Sequence, residues 1–326
     1  MNLSGGTVLV TGGAGFIGSH LTEKLLEMGS AVTVYDDFDE YYKGKEANIS
    51  NASRTPGFKL IKGDILDVDT LDAAMKNVDV VIHLAGQAGV GISVNDPVNT
   101  NKVNVVGTLN VLWAAKTHGV RRVVNASSSS IFGQPKYLPI DEPHPTNPAS
   151  PYGVSKLAAE QYGKVFHKVY GLGVVSLRYF SVYGPRGRPD QVIRKFMQNL
   201  VGGKPPVVNG DGSHTRDFTH VDDVVSATIA AAETDGIGGE VFNVGFGART
   251  SIQSIADKLI ELMGMQGRVI VEHIEESKGD FPDTQADNRK AKQVLGWKPR
   301  VSLDEGLKGY VKWFLEQNNG KAPAKS

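Results

Sequence analysis

Tyr152 and Lys156 stand four residues apart in the run Pro151-Tyr152-Gly153-Val154-Ser155-Lys156, a spacing that puts both side chains on one face of a helix. An ammonium held beside a phenol favours the phenolate and brings tyrosine towards use as a general base near neutral pH. Upstream, a β-branched stretch over residues 122–126 runs into Ser127-Ser128-Ser129-Ser130. A hydroxyl at Ser128 could bind the oxygen whose proton such a base removes, and share that proton. A Tyr-x-x-x-Lys pattern alone describes many surface helices, with the tyrosine at a helix start and the lysine solvated. The serine run before it, and a glycine turn at the head of the chain, make that bland account a poor one.

That turn is Thr11-Gly12-Gly13-Ala14-Gly15-Phe16-Ile17-Gly18. Its glycines Gly12, Gly15 and Gly18 sit between an expected strand and an expected helix, where the backbone and the helix N-terminus can approach a pyrophosphate. The second expected strand ends at Asp36, 18 residues beyond Gly18. A carboxylate there accepts both ribose hydroxyls and repels a 2′-phosphate, which favours NAD over NADP. Asp64-Ile65 and Leu84-Ala85-Gly86 follow the third and fourth expected strands, at the strand ends where open α/β sheets take ligands. His83 lies inside the fourth strand with no triad or metal pattern around it, and is expected to pack rather than to react.

The elements that must position these groups follow from hydrophobic periodicity. Residues 7–11, 31–36, 59–62, 78–84, 122–126 and 173–178 read as short strands alternating with helical patterns over 18–28, 69–76, 98–117 and 151–169. That alternation predicts a doubly wound parallel sheet with helices on both faces, an α/β Rossmann-like fold. Beyond residue 178 the pattern loosens into Gly/Pro-rich connections over 183–189 and 202–212, with a strand at 240–244 returning to the sheet and helices at 251–263 and 303–317. The predicted organisation is interleaved. Residues 1–178 with 217–248 make the cofactor domain, residues 179–216 with 249–317 make a smaller C-terminal α/β substrate lobe, and 318–326 form a disordered tail.

Composition bounds the rest. With 326 residues, 40% hydrophobic and 21% charged, the chain can bury a sizeable core. Lys plus Arg and Asp plus Glu each total 35, so no electrostatic footprint points to nucleic acid or an anionic membrane. The absence of cysteine removes disulfides, thiol nucleophiles and Cys-based metal sites, and no metal is expected. The N-terminus has no signal-peptide pattern and no apolar run is long enough to span a bilayer, so a cytoplasmic setting is expected.

Together TGGAGFIG, the serine run, PYGVSK, RYFSVYGPRGRPD and GDGSHTRDFTHVDD resemble an extended short-chain dehydrogenase/reductase of the NAD-dependent nucleotide-sugar epimerase and dehydratase family, nearest to UDP-sugar 4-epimerases. The resemblance runs from Thr7 to about Phe314. It implies a homodimer with tightly held NAD, for which the two long helices could pair across the dimer. It assigns Ser128, Tyr152 and Lys156 as the catalytic set, with Lys156 also touching the nicotinamide ribose. Phe16, Ile17, Asp36, Asp64, Ile65, Ala85, Asn104 and Tyr179 match further cofactor contacts. For the substrate it implies Ser129 beside Ser128, Arg216 on the diphosphate and Asp280 on the uridine ribose.

The resemblance also discriminates among reactions. Family dehydratases carry Asp-Glu after the catalytic serine position and UDP-glucuronate decarboxylases carry a Glu, where this chain has Ser129 and Ser130. Eliminating water needs a positioned acid and base, which a serine hydroxyl supplies poorly; inversion at one carbon needs no second acid. A UDP-sugar 4-epimerase is therefore expected, in which Tyr152 takes the 4-hydroxyl proton as hydride leaves C4 for NAD and hydride later returns to the opposite face. A dehydratase or decarboxylase, or a non-enzymatic NAD-binding sensor, are the alternatives. Segments 36–42, 87–90 and 183–190 resemble UDP-glucuronate 4-epimerases, where an Arg at the place of Arg188 holds the sugar carboxylate. Gly91 replaces an Arg common in those relatives, and Thr284 stands where a bulky aromatic excludes N-acetyl sugars. Glucose, glucuronate and N-acetylglucosamine all stay open as the sugar, and the roles of Arg186 and Arg188 are undivided.

Overall fold

A computed structural model describes residues 2–275 and 283–318. The strands are β1 (Thr7–Thr11), β2 (Ala31–Asp36), β3 (Phe58–Lys62), β4 (Val80–His83), β5 (Arg122–Ser128) and β6 (Val174–Tyr179), joined by the strand Val241–Val244. They form one seven-stranded sheet in the order Val241–Val244, β6, β5, β4, β1, β2, β3. Every pairing in it is parallel. The expected doubly wound α/β fold is the one adopted. The strand order reverses between β1 and β4, the switch point where such sheets open a crevice for ligands.

The central strands read as continuous apolar runs because both sheet faces are covered. Helix α1 (Phe16–Glu27) and the helix Val221–Glu233 bury Leu21, Leu25, Val224 and Val225 on one face. On the other, Leu71, Val111, Leu112 and Phe166 come from the helices Val68–Ala74, Thr108–Thr117 and Pro151–Tyr170. A separate core gathers Ile193, Phe196, Leu200, Leu259, Tyr310 and Phe314 from the helices Val192–Val201, Ile252–Leu262 and Leu303–Gln317. No helix among the described residues is long and apolar enough to cross a membrane.

Several local expectations are amended. Strand β5 runs two residues further than expected, so Ser127 and Ser128 are still strand residues. The helix expected over 98–117 is interrupted: Pro97–Asn101 and Thr108–Thr117 are α-helical, and Lys102–Gly107 between them is a π-helix. The segment expected to be loose contains the helix Val192–Val201, whose Ile193, Phe196, Met197 and Leu200 are buried at helical spacing. Asn318, placed at the head of the expected tail, ends the last helix and donates from Nδ2 to the Phe314 carbonyl at 2.8 Å; residues 319–326 lie outside the described residues.

Candidate active site

The helix Pro151–Tyr170 begins where sequence chemistry puts it. Ser150 is the N-cap, its hydroxyl accepting from the Gly153 N–H at 3.1 Å, and Pro151 occupies the first helical position, where its missing N–H costs nothing. Gly153 is required there: a Cβ would fall 2.5 Å from the Ser130 carbonyl oxygen, so only glycine lets the helix start against the serine turn. Tyr152 is thereby brought to the mouth of β5. Ser128 ends that strand, and its hydroxyl accepts from the Ser130 N–H at 3.1 Å, folding Ser129–Ile131 into a single 3-10 turn.

Lys156 is buried and donates from Nζ to the Ala126 carbonyl at 3.0 Å, with Nζ 6.0 Å from the Tyr152 ring centroid. Burial lowers its pKa to about 8. Burial raises that of the Tyr152 hydroxyl, while the Arg188 charge and the Ser128 hydroxyl pull it back down. The set is held from below. Glu160, one turn beyond Lys156, is fully buried and accepts from Arg178 Nε at 2.9 Å and Nη2 at 2.7 Å, and from the Ser127 hydroxyl at 3.0 Å.

Ser128, Tyr152 and Lys156 share the walls of one cavity of about 910 Å³ with the glycine turn. Gly12 has φ +70°, and a Cβ on it would lie 2.7 Å from Ala85 N; one on Gly18 would strike the Gly12 carbonyl. The turn is thus tight enough for backbone to close on a ligand. The first turn of α1 has neither a side-chain cap nor an acidic residue, and its N-terminal residues Phe16, Ile17 and Gly18 line the cavity. Asp36 accepts from Ala14 N at 3.0 Å and Phe38 N at 2.9 Å. Burial raises its pKa against those bonds and against Lys45, whose Nζ is 3.9 Å away. Uncapped helix N–H groups, an acceptor carboxylate at the end of β2 and glycines with no room for a side chain fit a dinucleotide.

Asp64, Ile65, Ala85 and Tyr179 also line the cavity, Tyr179 being fixed by its hydroxyl to Thr228 Oγ1 at 2.8 Å. Asn104 does not line it. Its Oδ1 accepts from Gln87 N at 2.7 Å, and its Nδ2 donates to the Gln87 carbonyl at 2.9 Å and to Ser155 Oγ at 3.0 Å. It shapes the wall after β4 from behind. His83 packs as expected, between Thr11 Oγ1 at 2.7 Å and Thr108 Oγ1 at 3.0 Å, and burial lowers its pKa to about 3.

Ser129, Arg188 and Arg216 line the same cavity. Arg188 is a bidentate partner of Asp190, Nε to Oδ1 at 3.0 Å and Nη2 to Oδ2 at 3.1 Å. Burial alone would lower its pKa, but Asp190 outweighs it and raises the value. Arg216 lies on the short strand Thr215–Arg216. Next to it, the buried Asp217 accepts from Phe246 N and Gly247 N at 2.9 Å and from Ala286 N at 2.8 Å, tying that strand to two loops. Asp280 lies outside the described residues, as does Ser277. Sequence patterns did not point to Lys195, Asn199 and the short strand Val207–Asn209, which also line the cavity. The amphipathic spacing of the helix Val192–Val201 was the available signal. Asp223, in the first turn of the helix Val221–Glu233, accepts from Arg300 N at 2.7 Å and Val301 N at 3.1 Å.

A Rossmann-like sheet with a glycine turn, a buried carboxylate after β2 and a Ser-Tyr-Lys set converging on one cavity defines a dinucleotide-dependent enzyme site of the short-chain dehydrogenase/reductase class. The chain matches the family described as GDP-mannose 4,6 dehydratase over residues 9–310, and it belongs to that family. It is 39% identical over 315 residues to the UDP-glucose 4-epimerase of Mycolicibacterium smegmatis, covering 95% of this chain and 99% of that one. Among solved structures it resembles the UDP-glucuronic acid 4-epimerase of Bacillus cereus in complex with UDP-glucuronic acid and NAD, at a TM-score of 0.91 and 36% identity, over 95% of this chain and 99% of that one. It also resembles the UDP-N-acetylglucosamine 4-epimerase of Methanobrevibacter ruminantium M1 in complex with UDP-N-acetylmuramic acid, at a TM-score of 0.90 and 34% identity, over 96% and 99%.

Proposed function

We propose that the protein is an NAD-dependent UDP-sugar 4-epimerase, with Ser128, Tyr152 and Lys156 as its catalytic set. One observation carries the assignment: these three side chains share a cavity with the glycine turn and Asp36, while Ser129 and Ser130 leave the serine turn without a carboxylate. NAD would be held by the Gly12–Gly18 turn, the first turn of α1, Asp36, Asp64, Ile65, Ala85, Tyr179 and Lys156. When bound, it supplies the acceptor and donor of the hydride exchanged with one sugar carbon. Tyr152 removes the proton from the sugar 4-hydroxyl and returns it after the 4-keto sugar has presented its other face. Ser128 binds the same oxygen and keeps it at the phenol. Lys156, fixed on the Ala126 carbonyl, keeps a cation beside the phenolate.

Residues 1–178 with 217–248 form the cofactor-binding part in this scheme, and 179–216 with 249–317 the part that binds the UDP-sugar. Arg216 serves the diphosphate, where a planar guanidinium suits paired oxygens, and Asp280 the uridine ribose. Ser129 and Arg188 face the sugar; the Arg188 fork is already paired with Asp190, so glucuronate, glucose and N-acetylglucosamine all stay candidate sugars. A second reading, loss of water as in a 4,6-dehydratase, has the family's name in its favour; the missing carboxylates at 129 and 130 weigh against it.

We also propose a cytoplasmic homodimer. Val98, Val106, Trp113, Val154, Val165 and Val169 on the segments 97–117 and 151–170 are exposed, and apolar side chains so grouped mark an association surface. Light scattering would return a dimer mass.

Purified protein given UDP-glucose, UDP-glucuronate or UDP-N-acetylglucosamine, with and without added NAD, tests the reaction by NMR. A 4-epimer without net NADH is expected, and release of water or carbon dioxide would overturn the assignment.

A further inference from the structure

The loop after β6 carries two arginines two residues apart, and the structure uses them differently. Arg188 lines the cavity with Asp190, whereas Arg186 reaches α1, where its Nη2 donates to Glu23 Oε1 at 2.8 Å. One residue earlier, the Pro185 carbonyl accepts from His20 Nε2 at 2.9 Å. His20 is one helical turn beyond Phe16, and their rings meet edge to face at 6.1 Å. The helix whose first turn lines the glycine-turn end of the cavity therefore grips, from its next turn, the loop that supplies Arg188.

We propose that Glu23 and Arg186 form a positioning brace that sets the Arg188 guanidinium at the sugar end of the cavity, so that α1 and the Arg188 loop act as one unit. This rests on the reading of Arg188 as a sugar contact. Three observations support it. Arg186 has φ +63°, in the left-handed region that a side chain with Cβ enters only when its surroundings hold it there. The loop is closely packed and tied to itself: a Cβ on Gly184 would lie 2.8 Å from Val221 Cγ1, the Gly187 N–H donates to the Gly184 carbonyl at 3.1 Å, and the Gln191 N–H donates to the Arg188 carbonyl at 3.2 Å. A shift at Arg186 must then pass along the chain to Arg188 rather than be absorbed between them. Finally, two of the Arg188 nitrogens are already committed to Asp190, so what the guanidinium offers a ligand depends on where the backbone places it.

The brace predicts non-additivity, because a residue acting only through Arg188 has nothing to act on once that side chain is gone. The experiment is a kinetic cycle of wild type, Glu23→Gln, Arg188→Ala and the double variant, on whichever UDP-sugar the wild type epimerises. Arg188→Ala is expected to raise KM about 10-fold or more, and Glu23→Gln about 3- to 10-fold with kcat within about twofold. The double variant should match Arg188→Ala alone, and the charge-swapped pair Glu23→Arg with Arg186→Glu should recover most of the Glu23→Gln loss. Retained NAD, measured on the same samples, is expected to stay at the wild-type value, and Glu23→Gln is expected to keep the wild-type melting temperature. Multiplying defects, or a Glu23→Gln enzyme with wild-type KM, would overturn the brace while leaving the Arg188 assignment standing. An Arg188→Ala enzyme with wild-type KM would overturn both, and an inactive wild type with bound NAD would sink the epimerase reading itself.

Discussion

The Lys156 ammonium stands 6.0 Å from the centroid of the Tyr152 ring, held there by the Ala126 carbonyl rather than by a carboxylate. In the proposed mechanism a counter-ion there would neutralise the charge that a Tyr152 phenolate needs. Tyr152→Phe removes the hydroxyl and keeps the ring, so turnover should fall at least about 10³-fold, the upper part of the range for losing a general acid–base group. The melting temperature and NAD content should match wild type. An enzyme retaining near-normal rate would take Tyr152 out of the mechanism.

Lys156 also has a stability consequence. Burial lowers its pKa from 10.5 to about 8. Below pH 8 the lysine is charged in both folded and unfolded chains, and the folded state bears the full cost of burying it. Between pH 8 and 10.5 the folded chain gives up its proton first, and that cost fades as pH rises. Lys156→Met should therefore be inactive yet more stable at pH 7 by about 1–3 kcal/mol, the upper end being the whole pKa difference and the lower end allowing for the orphaned Ala126 carbonyl. Denaturant melts of the cofactor-free proteins at pH 7 and pH 10 check it: the gap between variant and wild type should narrow at the higher pH.

Glu160 and Arg178 form the buried pair beneath the serine turn. Burial would raise the Glu160 pKa, but the Arg178 contact outweighs it and lowers it, so this carboxylate adds stability above the unfolded carboxylate pKa and loses it as pH falls through the folded value. Glu160→Gln strands a buried guanidinium and should cost about 3–5 kcal/mol. Pairing it with Arg178→Met removes the stranded charge, and most of the loss should return. If the double variant melts no higher than Glu160→Gln alone, the cost lies in the contacts Glu160 makes with Ser127 and Lys164 rather than in the stranded Arg178 charge.

How much of this was legible in the sequence depends on how local each contact is. Tyr152 and Lys156 share a helix face by spacing alone, and the Gly12–Gly18 turn needs only its neighbouring strand and helix, so both were legible. Arg186 and Arg188 were not separable, because their roles follow from a positive φ at Arg186 and from Glu23, 163 residues earlier. Asn104 matched a cofactor contact by motif, yet its amide is taken up by Gln87 and Ser155. Val207–Asn209 reaches the cavity by pairing with the strand Glu272–Ile274, a long-range choice that a three-residue stretch cannot announce. The helix Val192–Val201 carries apolar residues at helical spacing, but the glycines and prolines on either side of it obscured that signal and it was not predicted.

Asp36 offers the sharpest test of cofactor choice. Its carboxylate is anchored by Ala14 N and Phe38 N, with Lys45 Nζ 3.9 Å away. Ribose hydroxyls can donate to it, whereas a 2′-phosphate would meet a second anion in a buried place. Replacing Asp36 by Ser removes that repulsion and leaves Lys45 to face the ribose, although Asp39 also pairs with this lysine. Asp36→Ser should weaken NAD about 10-fold, because the ribose hydroxyls no longer donate to a carboxylate. It should also shift the NADP-to-NAD preference by about 100-fold, because the Lys45 ammonium can then pair with the 2′-phosphate. Competition of the two cofactors for the stripped enzyme, read by fluorescence of the reduced forms, measures the ratio. Should NAD binding weaken with no gain for NADP, Lys45 stays bound to Asp39, and the double variant Asp36→Ser with Asp39→Ser should then release the preference.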